Sequence, residues 1–263
     1  MTDREDELEE GRMPLLDHLI ELRKRIIYSL IALALAFVLC FSFAKEIYAF
    51  LTEPLARAAP HHHLIYTAVY ESFFTYVKLG MFAGLCLSFP IIASQIWMFV
   101  APGLYKQERN AFLPFLVATP ILFIAGAAFV FYVMLPFAIR FFVGYETQGG
   151  PNSLPIEMQP KVSEYLDFVT TLIFAFGLTF QMPVLLSLLG KVGLVTSKQL
   201  KSARRYAYLG ITVVAAILTP PDFISPFTLM IPLILLYEVS IWCVRLIERR
   251  RARDDAAKAA ATT

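Results

Sequence analysis

At residues 101–109 the chain reads Ala-Pro-Gly-Leu-Tyr-Lys-Gln-Glu-Arg, a short polar connection between two long apolar runs at 72–100 and 111–137. About 20 apolar residues are enough for a helix to cross the roughly 30 Å hydrocarbon core of a bilayer. Both runs exceed that length, and both are continuous rather than divided into the ten-residue alternating strands of a membrane barrel. The stretch therefore predicts two membrane-spanning helices joined by a tight, charged turn.

The composition of the whole chain agrees with this interpretation. Of 263 residues, 58% are hydrophobic and 17% are charged, and the mean hydropathy is +0.63, which is too apolar for a soluble domain. We predict an all-α integral membrane protein with six transmembrane helices, and prolines in or near several spans favour a curved, cup-like bundle. The spans are expected at about 26–44, 72–100, 111–137, 165–189, 206–219 and 226–244.

The fifth predicted span is unusually short. At 1.5 Å per residue, 206–219 reaches only about 21 Å against a core of about 30 Å. Local thinning of the bilayer, or association with other helices, is the usual way to accommodate such a mismatch.

The basic residues predict the orientation, because cytoplasmic loops of membrane proteins are enriched in Lys and Arg. One face carries Arg23, Lys24, Arg25, Lys106, Arg109, Lys191, Lys198, Lys201, Arg204, Arg205, Arg245, Arg249, Arg250, Arg251 and Arg253, and the other only Lys45, Arg57, Arg140 and Lys161. Both termini are therefore expected in the cytoplasm. This asymmetry is a topology signal and gives no indication of nucleic-acid binding.

We divide the chain into an acidic cytoplasmic extension at 1–13, a membrane domain at 14–245 and a basic, disordered cytoplasmic tail at 246–263. No cleaved signal peptide is expected, because 1–12 lacks a basic segment followed by an apolar core. Residues 14–25 predict an amphipathic helix lying along the membrane surface.

Two outer loops are expected, at 45–71 and 144–160. The first has helical character near 47–51, and we expect Pro54 to stop that helix. His61, His62 and His63 follow; three adjacent side chains cannot all face one ion, so they predict a solvated loop rather than a metal site. Cys40, Cys86 and Cys243 fall inside spans and predict small buried residues, and we expect no metal or cofactor.

Few acids stand on the basic face. Apart from the two ends of the chain, they are Asp17, Glu21 and Glu108. A carboxylate there is suited to bind a guanidinium through two parallel hydrogen bonds. Arg25, four residues after Glu21, and Arg109, adjacent to Glu108, are equally suited to neutralise these acids locally, and composition does not decide between the two interpretations.

The fourth span contains a side-chain amide, Gln181, on the same helix face as Gly177, and Pro183 is expected to weaken the helix there. An interhelical hydrogen bond within the bundle explains this residue slightly better than a docking point for another subunit's helix.

Four motifs together resemble the signatures of the TatC family, the six-span subunit of the twin-arginine protein translocase. They are His-Leu-Ile-Glu-Leu-Arg-Lys-Arg at 18–25, the stretch 101–109, Phe-Gly-Leu-Thr-Phe-Gln-Met-Pro-Val at 176–184 and Leu-Thr-Pro-Pro-Asp at 218–222. The resemblance covers the chain from residue 14 to about 245. One such motif would be a weak signal, whereas four in order are specific.

The resemblance implies a receptor for signal peptides that carry paired arginines, and a core subunit for the transport of folded proteins. It implies that Glu21 and Glu108 recognise the arginines on the cytoplasmic face, with Arg23, Phe99 and Tyr105 shaping the site. It also implies a multi-pass protein of the prokaryotic cytoplasmic (inner) membrane.

The partners implied by the resemblance are the single-span subunits TatA and TatB, and further copies of the chain. Gln181 and Thr219 match positions of partner contact, and Pro54 and Asp222 match outer-face positions linked to transport. Many family members have Glu where this chain has Gln181, so a mechanism that titrates a carboxylate there is not expected here.

Two other function classes fit the sequence less well than the receptor. A self-contained secondary transporter or channel for a small solute would suit broken helices, but the chain has no inverted repeat and no cluster of intramembrane charges. An intramembrane enzyme lacks a His-Glu-x-x-His motif, a Gly-x-Ser-x-Gly motif and a pair of membrane aspartates. We therefore predict a protein without enzymatic activity.

Overall fold

The computed structural model describes the backbone of residues 3–60, 62–100, 113–150, 154–218 and 224–261. Within these ranges every regular element is helical, apart from isolated β-bridges that pair Ile65 with Lys161 and Thr147 with Ile156. The helices are α1 (Asp3–Ser42), α2 (Ala44–Ala58), α3 (Glu71–Val100), α4 (Leu113–Phe129), α5 (Leu135–Val143), α6 (Val162–Thr179), α7 (Met182–Val192), α8 (Ser197–Ser202), α9 (Arg204–Leu218) and α10 (Ile224–Ala261). The all-α prediction is confirmed.

Five helical stretches in the described ranges are long and apolar enough to cross a bilayer. They correspond to predicted spans one to four and six, and are His18–Ser42, Glu71–Phe99, Pro114–Val143, Val162–Val192 and Leu229–Arg253. The predicted fifth span is α9, whose 15 residues extend about 22 Å. It is an apolar helix shorter than a bilayer core.

The third span contains a π-helical turn, Val130–Met134, which joins α4 to α5 without a break. A π turn accommodates one more residue than an α turn. The span continues to Val143, beyond the predicted end at 137.

Two helices continue through predicted boundaries. The surface helix expected at 14–25 is part of α1, which runs uninterrupted to Ser42, and α10 runs through 245 to Ala261. The physical reason is the same in both: 15–42 and 233–261 contain neither Gly nor Pro, so nothing in the backbone ends the helix.

The expectation that Pro54 stops the first loop helix is wrong, because α2 passes through Pro54 and ends at Ala58. A proline inside a helix costs about 3 kcal/mol through its missing N–H and its steric clash. Leu51 and Leu55, on either side of it, are 4% and 5% exposed. Burial of two leucines, worth about 2 kcal/mol each, offsets that cost.

The chain divides into two compact units. The first comprises residues up to 47 together with 76–116. In it, Gly80 and Gly84 of α3 face α1 so closely that a Cβ added at Gly84 would lie 2.9 Å from the Cα of Phe37. Small residues one turn apart let membrane helices approach in this way.

The second unit comprises 48–75 and 117–263. Its core joins the third, fourth and sixth spans, and α7 packs along α10. Gly190 of α7 is in close contact with Val244 of α10. Among the described residues of this unit, those with no exposed surface are Val130, Leu135, Val169, Ala215, Leu229, Ser240 and Val244.

Candidate functional site

The acid-bearing part of α1 lies against the end of α3. His18, Glu21 and Arg25 follow one another at intervals of three and four residues, so they share one face of α1. Gln95 and Phe99, four residues apart on α3, contact that face. We call these five residues the Glu21 cluster.

Arg25 is the centre of the Glu21 cluster. Its Nη2 donates to Glu21 Oε1 at 3.1 Å, and its Nη1 donates to Gln95 Oε1 at 3.1 Å. The side chains of Arg25 and Glu21 are 26% and 32% exposed, so the ion pair is partly shielded from water. Arg25 Nε is buried and has no hydrogen-bond partner among the described residues. The local pair that the sequence left open is therefore present.

An aromatic surface lies beside the acid. The rings of His18 and Phe99 stack with centroids 4.3 Å apart and planes 20° from parallel. Phe99 was expected at the site from the family resemblance, whereas His18 was not. The pairing was not predictable because the two residues are 81 positions apart in sequence (99 − 18) and no periodicity links them.

Of the other residues expected at this site, the structure describes Arg23. Arg23 is exposed and makes no ion pair or hydrogen bond within the described ranges. Tyr105 and Glu108 lie outside the residues that the structure describes.

Gln181 lies where the fourth span is interrupted. α6 ends at Thr179 and α7 begins at Met182, as the proline at 183 predicted. The Gln181 side-chain amide donates from Nε2 to the backbone oxygens of Thr119 on α4, at 2.9 Å, and Gly177, at 3.4 Å. The interhelical hydrogen bond is confirmed. The amide oxygen of Gln181 is buried without a partner in the part of the chain that the structure describes.

Close packing surrounds this interruption. A Cβ added at Gly177 would lie 2.5 Å from Cε2 of Phe123, a side chain that is 4% exposed. The fourth span therefore lies directly against the third one turn before Gln181.

Pro54 lines a cavity of about 210 Å³ between α2 and the end of the third span. Its other lining residues are Glu53, Arg57, Ala58, Phe131, Tyr132, Pro136 and Arg140. The remaining expected outer-face and partner positions, Asp222 and Thr219, lie outside the described residues.

The two loops that the sequence predicts on the outer side, 45–71 and 144–160, are joined by contacts that sequence reasoning missed. Glu146 Oε1 accepts the backbone N–H of Met158 at 2.8 Å and lies 2.5 Å from His62 Nε2. The Met158 hydrogen bond, and then the contact with His62, lower the pKa of Glu146. Backbone bonds from Ile65 N to Pro160 O and from Val162 N to Ile65 O join the same loops. We call this set of contacts the outer-loop clasp.

The outer-loop clasp corrects the expectation of a fully solvated histidine stretch. The His62 side chain is only 17% exposed, whereas His63 is exposed. Across the described ranges, no group of three or more His, Cys, Asp or Glu side chains is placed to hold a metal ion.

The acid within the sixth span is paired. Glu238 Oε2 lies 2.5 Å from Arg204 Nη2, and its Oε1 accepts the hydroxyl of Tyr208 at 2.7 Å. Both carboxylate oxygens are thus engaged by residues at the start of α9. These contacts fasten the short helix α9 to α10.

Comparison with known proteins gives a consistent result. A model of the family described as Sec-independent protein translocase protein (TatC) matches residues 17–232. The Sec-independent protein translocase protein TatC of Magnetococcus marinus is 46% identical over 252 residues, which are 95% of this chain and 91% of that protein. The protein of the same name from Rickettsia prowazekii is 40% identical over 237 residues, 89% of this chain and 94% of its own.

Solved structures extend the similarity to three dimensions. A crystal structure of the twin-arginine translocase receptor TatC matches with a TM-score of 0.75 at 36% identity, covering 88% of this chain and 99% of that one. A structure of the receptor TatC in DDM also matches with a TM-score of 0.75, at 37% identity, covering 86% and 98% of the two chains.

Proposed function

The chain belongs to the TatC family of Sec-independent protein translocase proteins, and from this premise we propose that it is a signal-peptide receptor and core subunit of a twin-arginine translocase. The family's role is transport rather than catalysis, and the chain is an integral membrane protein. In the proposed role it binds the paired arginines of export substrates and, with TatA and TatB, carries folded proteins across the membrane.

The observation that carries this proposal is the Glu21–Arg25 contact. Glu21 accepts a guanidinium at 3.1 Å while remaining about one-third exposed. Its second oxygen, Oε2, makes no hydrogen bond within the described ranges, so it remains available to a ligand guanidinium, and charge-assisted hydrogen bonds of this kind are strong. The His18–Phe99 stack supplies an adjacent flat surface for the apolar part of a signal peptide.

The remaining residues of the proposed site have complementary roles. Glu108 is the second acid, so that each ligand arginine meets one carboxylate. Arg23 and Tyr105 shape the entrance, and Phe99 forms one wall. The excess of Lys and Arg on this side supports a cytoplasmic location, with both termini in the cytoplasm and the chain in the inner membrane of a prokaryote.

Partner subunits occupy the other proposed positions. The amide oxygen of Gln181 is buried without a partner among the described residues. Such a group is costly to leave unsatisfied in a membrane, which supports a contact with a hydrogen-bond donor from TatA or TatB. Thr219 is the second partner contact. Pro54 and Asp222 act in transport at the outer face, and several copies of the chain assemble in one complex.

The test is a crosslinking series in membranes that contain the assembled translocase. With a photoreactive residue at position 107, which leaves Glu108 in place, we expect capture of a signal peptide with paired arginines and loss of capture when both become glutamine. Paired lysines keep the charge but lose the planar, bidentate geometry, so their capture should be weaker. Equal capture of the arginine and glutamine peptides would show that the proposed recognition is wrong.

A further inference from the structure

The Glu21 cluster holds a guanidinium of the chain itself at the acid that we propose binds a ligand guanidinium. Arg25 stands one turn after Glu21, and its Nη2 occupies Glu21 Oε1. In the described ranges, the hydrogen bonding of Glu21 involves Oε1 alone. An incoming cation therefore meets Oε2 with a positive charge already beside it.

Arg25 is also held from a second helix. Gln95 on α3 accepts its Nη1 at 3.1 Å, and the Met98 sulfur lies 3.6 Å from the same nitrogen. An ordinary exposed pair on one helix exchanges freely with water and contributes little. Arg25 is instead fixed between two helices, so it stays at Glu21 until something competes with it.

The hold on Arg25 is incomplete. Its Nε lies buried without an acceptor among the described residues, and an unsatisfied donor disfavours the pose that contains it. Arg25 can therefore be displaced or made to share the carboxylate by a ligand that forms enough hydrogen bonds in return.

We propose that Arg25 is a built-in competitor for Glu21 and that it sets how strongly the receptor prefers paired arginines to paired lysines. This inference rests on the proposed function. A guanidinium is planar and weakly hydrated, so it can lie beside Arg25 and share one carboxylate. An ammonium is compact and strongly hydrated, so it must displace Arg25 and repay its own desolvation. Arg25 thus excludes lysine more than arginine.

The experiment uses the full chain in lipid nanodiscs and a fluorescent synthetic peptide in which an arginine pair precedes an apolar segment. Matched peptides carry paired lysines or paired glutamines. For Arg25→Gln we expect lysine-peptide affinity to rise about tenfold and the arginine-to-lysine preference to narrow by a similar factor. Arg25→Lys keeps the positive charge but loses the planar guanidinium. Its arginine-to-lysine preference should fall between that of the wild-type chain and that of Arg25→Gln.

Lys24→Gln is the matched control, because it removes one positive charge at the neighbouring position. Lys24 lies 5.9 Å from the Tyr28 ring centroid and outside the Glu21 cluster. We expect it to change the preference less than about twofold. Equal narrowing by Lys24→Gln and Arg25→Gln would overturn the proposal in favour of a general field effect.

A second result would also overturn it. If Arg25→Gln weakened the arginine and lysine peptides equally, Arg25 would be positioning Glu21 rather than competing for it. A wild-type chain that binds the arginine and glutamine peptides equally would refute the proposed function instead. Failure of the Arg25 proposal and failure of the proposed function are thus distinguishable. Elution of each variant as a single symmetric peak checks that it is folded.

Discussion

At the scale of single residues, Gly177 illustrates how little space the bundle leaves. An added Cβ there would lie 2.5 Å from a ring carbon of Phe123, which is itself buried. Overpacking of this kind typically costs about 1–3 kcal/mol. We expect Gly177→Ala to lower the midpoint of thermal unfolding, measured in detergent by loss of the monodisperse elution peak.

Gly210 provides the matched control. It is also helical, but an added Cβ would meet nothing within 4 Å. Gly210→Ala should leave the midpoint unchanged or raise it, because alanine is the better helix former. Equal midpoints for the two variants would contradict the close contact with Phe123.

Glu146 gives the outer-loop clasp a pH dependence. The pKa of this acid is lowered from its usual 4.5, so its ionised form is favoured in the folded chain. The stability that ionised Glu146 contributes to the folded loops is therefore complete above pH 4.5 and is lost as the pH falls through the depressed pKa. We expect the Met158 amide to keep its protection from hydrogen exchange, corrected for intrinsic rates, down to about pH 4.5 and to lose it below.

The Glu146→Gln variant should abolish this pH step, since an amide oxygen still accepts the Met158 N–H but does not titrate in this range. Glu157→Gln, at an exposed acid in the same loop, should retain it. Loss of the step in both variants would mean that the loop responds to its overall charge rather than to Glu146.

At the scale of elements, the interrupted fourth span follows from one missing donor. Pro183 cannot supply the N–H that would continue the helix, so α6 ends and Gln181 is left at the start of α7. The interruption frees the Gln181 side chain to bond the backbone of α4. The helix interruption at Pro183 and the hydrogen bond from Gln181 to α4 are thus parts of one structural feature.

Replacing Gln181 tests this feature. Gln181→Ala removes the bond to Thr119 O and should lower stability by about 1 kcal/mol. We also expect copurification of TatB to fall severalfold. Thr179→Ala is the control, since within the described ranges the Thr179 hydroxyl donates to Ala175 O of its own helix and to no other helix. Unchanged TatB recovery with Gln181→Ala would remove that residue from the proposed interface.

Element boundaries were the part of the fold least accessible from sequence. Hydropathy located the spans because each is a continuous apolar run, and Pro183 marked a real interruption. Pro54 did not mark an interruption, because the burial of Leu51 and Leu55 outweighed the cost of a proline inside a helix. Local pattern predicts a break only where tertiary packing does not compensate for it.

The site was predictable only in part, for a related reason. Glu21 was a candidate as one of few acids on the basic face, Phe99 came from the family resemblance, and Arg25 was foreseeable as a partner one turn away. Gln95 was not, because its contact with Arg25 joins residues 70 positions apart. His62 and Glu146 are 84 positions apart. Such pairs have no local signature in a single sequence.

At the scale of the whole molecule, the spans differ in length. The 15 residues of α9 extend about 22 Å, against roughly 30 Å of hydrocarbon, whereas Glu71–Phe99 contains 29 residues. A short span costs a fraction of a kcal/mol for each Å of mismatch. We expect the folded fraction after heating to be higher in bilayers of short-chain lipids than in bilayers of long-chain lipids.

An insertion tests whether α9 is the cause. Four apolar residues added within α9 lengthen it by about 6 Å and should move the optimum to thicker bilayers. The same insertion beyond Arg253, outside the candidate spans, is the control and should leave the optimum in place. If bilayer thickness did not change the folded fraction of the original chain, the short length of α9 would have no energetic consequence.

The π turn at Val130–Met134 has a consequence for the history of this chain. A π turn contains one residue more than the α turn it replaces, so it can hold an added residue while the residues on either side keep their contacts. Val130, its first residue, and Leu135, the residue that follows it, have no exposed surface, so both flanks are held in place. Deleting one residue within the turn should therefore return the span to an ordinary α-helix, whereas a deletion elsewhere in the span would rotate every later side chain by about 100°. This turn is the point at which the third span can gain or lose a residue without repacking its neighbours.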